Sequence, residues 1–181
     1  TRVGGFLHRH PDIDLEIRER SSDEVLEGLR QGVVEVGIVA DYVDATGLTV
    51  RPWIEDRLVA VVPRAWRMGP RRGVAYAELL EKPFVGLLRE SGLGRFLARQ
   101  AAASGRLPHH RVRLGHFEGV ARLVEAGVGA AVMPQGAADR HVGPAARVLP
   151  LTDAWALRRL LLCTVQDKPV SRAAADLVEA L

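Results

Sequence analysis

Cysteine is all but absent from this chain: Cys163 is the one residue of its kind among 181, which excludes a disulfide framework. It lies in the apolar run Leu160-Leu161-Leu162-Cys163, where a thiol behaves as a small buried hydrophobe. No apolar run approaches the roughly 20 residues that a membrane-spanning helix needs. The N-terminus lacks the charged, apolar and small-residue regions of a secretion signal, so the expectation is a cytoplasmic chain. Catalytic signatures are missing too. The sequence has no Gly-x-Ser-x-Gly elbow, no Gly-x-x-x-x-Gly-Lys phosphate loop and no His-Glu-x-x-His, and catalysis is not indicated. His8 with His10, and His109 with His110, have no cysteine or carboxylate at ligand spacing, so no metal is expected. Gly127-Val128-Gly129 follows a helical pattern and precedes an apolar strand. A dinucleotide loop has the reverse order and a third glycine, so this one reads as a helix C-cap and no cofactor is expected.

What is present is the composition of a globular protein: 48% hydrophobic, 26% charged, mean hydropathy +0.03. The pI of 9.6 points weakly toward nucleic acid. The formal charge is only +3, however, and the basic residues, almost all Arg, are interleaved with Glu and Asp as on a solvated surface.

Periodicity supplies the elements. Ile13, Leu15 and Ile17 alternate with Asp14, Glu16 and Arg18, predicting a strand with one buried face. Ser21 with Glu24 has capping-box spacing, Val25, Leu26 and Leu29 share a stripe, and Gly32 stands where a left-handed terminator belongs, predicting a helix. Residues 36–39 read as a buried strand, which makes the unit strand, helix, strand with a parallel sheet. Residues 48–54 and 58–62 read as two further strands, and the Arg-, Gly- and Pro-rich stretch 64–73 marks a lobe boundary. Beyond it come strand 84–88, helix 91–104, strand 112–116, helix 118–126 and strand 130–133, a second parallel sheet. Strands 147–151 and 157–165 and helix 171–181 close the chain, with the first lobe as their host. The expected fold is therefore α/β, two Rossmann-like lobes joined by two crossover strands: lobe I from 1–62 and 147–181, lobe II from 63–146. A ligand cleft beside the crossovers follows. Residues 1–4 look like a strand and 5–10 like the end of a helix, yet too few residues lie between them for a parallel crossover. A stretch of helix is expected to be missing between Gly4 and Gly5.

These residues carry a family signature. Phe6-Leu7-His8-Arg9-His10-Pro11-Asp12-Ile13, Gly32-Val33-Val34-Glu35-Val36-Gly37-Ile38, Leu58-Val59-Ala60-Val61-Val62-Pro63 and Leu123-Val124-Glu125-Ala126-Gly127-Val128-Gly129-Ala130-Ala131-Val132-Met133-Pro134 resemble, in order, four segments of the effector-binding domain of LysR-type transcriptional regulators. Glu35 stands where the family usually has Asp. The resemblance spans residues 1–181. It implies a periplasmic-binding-protein type II-like fold, a small-molecule effector and no enzymatic activity. It also implies homodimers, with lobe I of one chain on lobe II of its partner, and tetramers in the full-length regulator. Segment 13–17 and helix 118–126 are the expected dimer surface. The resemblance leads to the expectation that the family's winged helix-turn-helix lies outside residues 1–181 and that DNA is reached only through that domain. An extracytoplasmic solute-binding protein of a transporter is the competing reading on the same fold.

Site expectations follow from both sources. Ser91 and Gly92 open a helix directly after the strand that ends at Leu88-Arg89, so free backbone N–H groups point beyond the strand's carboxyl end, where carboxylates bind. Arg89 beside them suggests an anion. The resemblance implies an effector hydroxyl contact at Ser22 and a further loop just past Gly4. It also implies an effector-contacting junction at His116-Phe117-Glu118.

Overall fold

The computed structural model describes residues 2–181 apart from 19, 21, 42, 67, 70, 71 and 167. The chain forms two compact units, Thr1–Glu55 with Arg159–Leu181, and Asp56–Arg158. It passes from one to the other twice, inside strand β2 (Leu48–Pro63) and inside strand β7 (Leu157–Val165). Both breaks therefore fall within strands, rather than after residues 62 and 146. The expected two strands 48–54 and 58–62 are one 16-residue strand. Residues 49–57 are mostly exposed along this one strand, so the polar Glu55-Asp56-Arg57 between the two expected strands does not interrupt it.

In the first unit, β1 (Gly37–Ala40) pairs antiparallel with β7, Gly37 opposite Cys163 and Ala40 opposite Leu160, and β7 neighbours β2. Apolar side chains on both faces make this sheet a middle layer. Helix α2 (Ser22–Gln31) buries Leu26 and Leu29 with Val39, Leu48 and Cys163. On the other face, Phe6 of α1 (Arg2–Arg9) and Leu177 of α7 (Arg172–Ala180) close over Leu162. The Ser171 hydroxyl caps α7 by accepting from the Ala174 amide at 3.2 Å and reaches the Glu35 carboxylate at 3.1 Å. The glutamate that departs from the family pattern thus ties the entry of β1 to the start of the last helix.

Three expectations fail in this unit, for connected reasons. Residues 2–4 are the first turn of α1, not a strand, because Val3, Phe6 and Leu7 recur at helical spacing and face the same cluster. The helix runs through Gly4 and Gly5. With that partner helical, segment 13–17 forms no ladder. Ile13 and Leu15 rest on the Phe6 cluster, while Ile17 is 74% exposed. Alternation alone secures one buried side and no hydrogen-bond partner. The parallel strand, helix, strand unit is accordingly replaced by an antiparallel pair. The proposed Ser21 cap lies outside the described residues.

In the second unit, β2 is flanked on both edges. The β5 strand (Ala131–Pro134) pairs antiparallel with it from Leu58 to Val61, and β6 (Ala146–Pro150) from Val59 to Pro63. The strand expected at 147–151 therefore belongs here and not in the first lobe. Residues 58–63 are buried on both faces, and such a strand must satisfy its backbone on both edges. Strand β3 (Phe84–Leu87) lies parallel to β4 (His110–Leu114) and exchanges hydrogen bonds with the entry of β5: Val85 N–H donates to Ala130 and Ala130 N–H to Pro83, each at 2.8 Å.

The connection from β3 to β4 is helix α4 (Gly92–Ala103), and that from β4 to β5 is helix α5 (Phe117–Glu125). These two moves run in opposite directions across the sheet, and right-handed crossovers then place the helices on opposite faces. The cores agree. Phe96 and Ala101 of α4 join Phe84, Leu58 and Val132, together with the short helix α3 (Tyr76–Leu79). Val120, Ala121 and Val124 of α5 join Val85, Val59 and Met133, with helix α6 (Gln135–His141) beside them. No helix among the described residues is long and apolar enough to cross a membrane.

Candidate functional site

The parallel strands of the second unit end side by side. The Leu88 amide donates to the Leu114 carbonyl at 2.9 Å, and each strand turns at once into its own helix. Helix α4 starts behind Ser91, whose φ and ψ of −70° and 148° are those of an N-cap. Its Oγ accepts from the Gly94 amide at 3.0 Å and donates to the Leu88 carbonyl at 2.8 Å. The hydroxyl is thereby fixed by two backbone groups. Gly94 is required there, since a Cβ would run into the Leu88 carbonyl oxygen and lie 2.8 Å from Ser91 Oγ. The capping hydroxyl takes one amide of the first turn and leaves the others directed past the strand end, an arrangement suited to an anionic oxygen.

Helix α5 repeats the device with a different side chain. His116 is its N-cap, and Nδ1 accepts from the Gly119 amide at 3.1 Å. An imidazole that accepts at Nδ1 carries its proton at Nε2, so a donor remains for a ligand. Phe117 is half-buried against the Val120 and Met133 cluster, and its role in the structure is packing. Glu118 is exposed, 4.0 Å from Arg122 one turn on, in the first turn where the helix dipole favours a carboxylate.

The structure thus brings Arg89, Ser91, Gly92, His116, Phe117 and Glu118 to one edge of the second unit. Ser22 lies in the first unit as the opening residue of α2, where its Oγ accepts from the Ala40 amide at 3.1 Å, so it marks the carboxyl end of β1. Gly4 is not brought to Ser22. It sits in α1, which packs on the opposite face of the first-unit sheet from α2.

Sequence reasoning passed over Arg113 and undervalued His110. Arg113 follows Val112 on β4, half-buried, and its Nη1 reaches the Leu87 carbonyl at 3.3 Å. Burial first, then the charge of Arg89, holds its pKa below the ordinary guanidinium value. His110 stacks edge-on to Phe84 at 5.5 Å, and its Nδ1 is buried without a hydrogen-bond partner among the described residues. Burial chiefly, with Arg113 and Arg89 nearby, pushes its pKa down to about 4, and it is a neutral ring near pH 7. The signal for Arg113 was available, because a cation between the apolar Val112 and Leu114 calls for a neighbour. The signal for His110 was not, because its environment is made by Phe84 and Gly86 from another strand. No group of three or more metal-binding side chains occurs among the described residues.

Comparison with known proteins bears on what such an edge serves. The family model described as LysR substrate binding domain matches residues 1–181. The HTH-type transcriptional regulator CysL of Bacillus subtilis (strain 168) is 21% identical over 124 residues, 68% of this chain and 42% of that protein. This chain spans about half the length of the curated relatives it matches. Among solved structures, the Synechocystis PCC6803 CcmR regulatory domain in complex with 2-PG superposes with a TM-score of 0.82 at 16% identity, covering 98% of this chain and 86% of that one. The effector binding domain of QuiR in complex with shikimate gives 0.74 at 16%, covering 99% and 86%. At such identities the likeness establishes the fold: two α/β lobes of the periplasmic-binding-protein type II kind.

Proposed function

The chain belongs to the LysR substrate binding domain family, and we propose that it is the sensing half of a cytoplasmic transcription regulator, reading a small carboxylate. The observation that carries this is the paired helix starts at Ser91 and His116 on the carboxyl edge of β3 and β4. Two N-termini and Arg89 converge where open α/β sheets take ligands. Ser22, at the end of β1, is the corresponding hydroxyl of the first unit. The 2-PG bound by CcmR and the shikimate bound by QuiR both carry a carboxylate, which supports the class without naming the compound. DNA would be engaged by a separate domain of the longer protein.

The test is a thermal-shift panel of small carboxylates against the wild-type chain and Ser91→Trp. A true effector at about 100 times its Kd stabilises the fold by roughly 2.7 kcal/mol, and Ser91→Trp, which fills the space before α4, removes that shift. A shift that persists unchanged in Ser91→Trp would move the site away from this edge.

We further propose that the chain dimerises with the first unit of one copy on the second unit of the other. Charge supports it. The first unit holds 9 Lys and Arg against 14 Asp and Glu, a net −5, and the second holds 16 against 8, a net +8. Exposed Ile17 and the outer face of α5 are the candidate contacts. Light scattering at high concentration should report a dimer that weakens with salt; a monomer at every concentration and salt contradicts the arrangement.

A further inference from the structure

The second unit carries a cavity at the amino ends of its parallel strands, and so at the edge opposite Ser91 and His116. It measures about 460 Å³ and is lined by Trp66, Met68, Lys82, Pro83, Arg111 and Val128. Lys82 and Pro83 immediately precede β3, Arg111 stands at the start of β4, and Val128 leads into β5. At about 3.3 Å per residue, the four residues of β3 put this edge ~13 Å from the first.

Its walls divide by chemistry. Trp66 and Met68 rest on the Phe84 cluster and Val128 on the Val85 cluster, so the lining between them is apolar and held in place from behind. Lys82 and Arg111 bring two cations to it. Among the described residues neither makes a salt bridge or a side-chain hydrogen bond. The carboxylate beside Lys82 in sequence, Glu81, is taken by Arg106 at 2.7 Å. Other basic residues of the unit are engaged: Arg64 with the Pro144 carbonyl, Arg147 with that of Gly69, Arg158 with Asp56. The two cations do not serve the adjacent C-terminus of α5 either. Its Arg122, Val124 and Leu123 carbonyls already accept from the amides of Ala126, Gly127 and Val128.

We propose that this cavity is an ancillary binding site for a flat aromatic carboxylate, its ring system against Trp66 and Met68 and its anionic group between Lys82 and Arg111. The size falls within the roughly 300–1,000 Å³ of small-molecule pockets. Aromatic and thioether surfaces suit a planar apolar body, and a carboxylate supplies the charge that both cations lack. The inference does not depend on the effector site.

The probe is 2-naphthoate, with binding to the whole chain followed by calorimetry and by tryptophan fluorescence. Wild type binds saturably, and 2-naphthamide, of the same shape without the charge, binds about tenfold more weakly or worse. Lys82→Glu with Arg111→Glu loses binding by a similar factor, while Ser91→Trp binds as wild type does. Absence of saturable binding, an unchanged affinity in the charge-reversed variant, or a loss in Ser91→Trp each overturns the proposal. Both cations are exposed, and the double variant is expected to keep the wild-type melting temperature; if it does not, Arg111→Met alone is held to the same criterion.

Discussion

His110 shows how much a residue's chemistry here depends on its neighbours. Its ring lies over Gly86, where even a Cβ would collide with it, and against Phe84. In the unfolded chain its pKa returns to 6.5, while the folded value is about 4. The unfolded state therefore binds more protons between these values, and stability is lost as pH falls from about 6.5 toward 4. Taking the partial exposure of the site into account, wild type should lose about 1 kcal/mol more than His110→Gln between pH 7 and pH 5 in urea unfolding. Parallel pH profiles for the two proteins would refute the burial argument.

At the scale of elements, the second unit repeats strand, cap, helix twice, with a hydroxyl accepting in one cap and an imidazole nitrogen in the other. Ser91→Ala removes the bond to Gly94 and leaves that amide to water, at a cost of about 1 kcal/mol. Chemical denaturation should show this, with the effector-induced thermal shift reduced but present, since the remaining amides of the turn stay. These elements were legible because their signals are local: Ser91, Gly105, Gly127 and the apolar stripes of α4 and α5 act over a few residues. Segment 13–17 was misread for the complementary reason. Its alternation is as clear as any in the chain, but a strand is a strand only by its neighbour, and the neighbour became helix α1. In the same way, β6 was recognised and assigned to the wrong host, because local pattern does not say which edge of β2 is open.

At the scale of the whole molecule, Asp56 and Arg158 are the first and last residues of the second unit. They meet across β2 and β7 with Arg158 Nε 2.6 Å from Asp56 Oδ2 and Nη2 in contact with the same oxygen, their side chains only 14% and 13% exposed. Removing either partner strands a largely buried charge. Arg158→Met and Asp56→Asn should each lower stability by about 2–3 kcal/mol, and the double variant by less than the sum. A double-mutant cycle with additive losses would show that the pair contributes nothing as a pair.

The amino-acid order by itself determined the class of fold, the family, the second unit's parallel strands with the two helices between them, and Ser91 as a helix start, because these rest on periodicity and capping over short stretches. Tertiary structure alone decided that β1 faces β7, that β6 closes the second unit, and that residues 2–4 are helical. It also placed Lys82 and Arg111, which have no ion-pair partner among the described residues, around one cavity. Those outcomes depend on which distant backbone edges and charges find one another, and no local pattern encodes that choice.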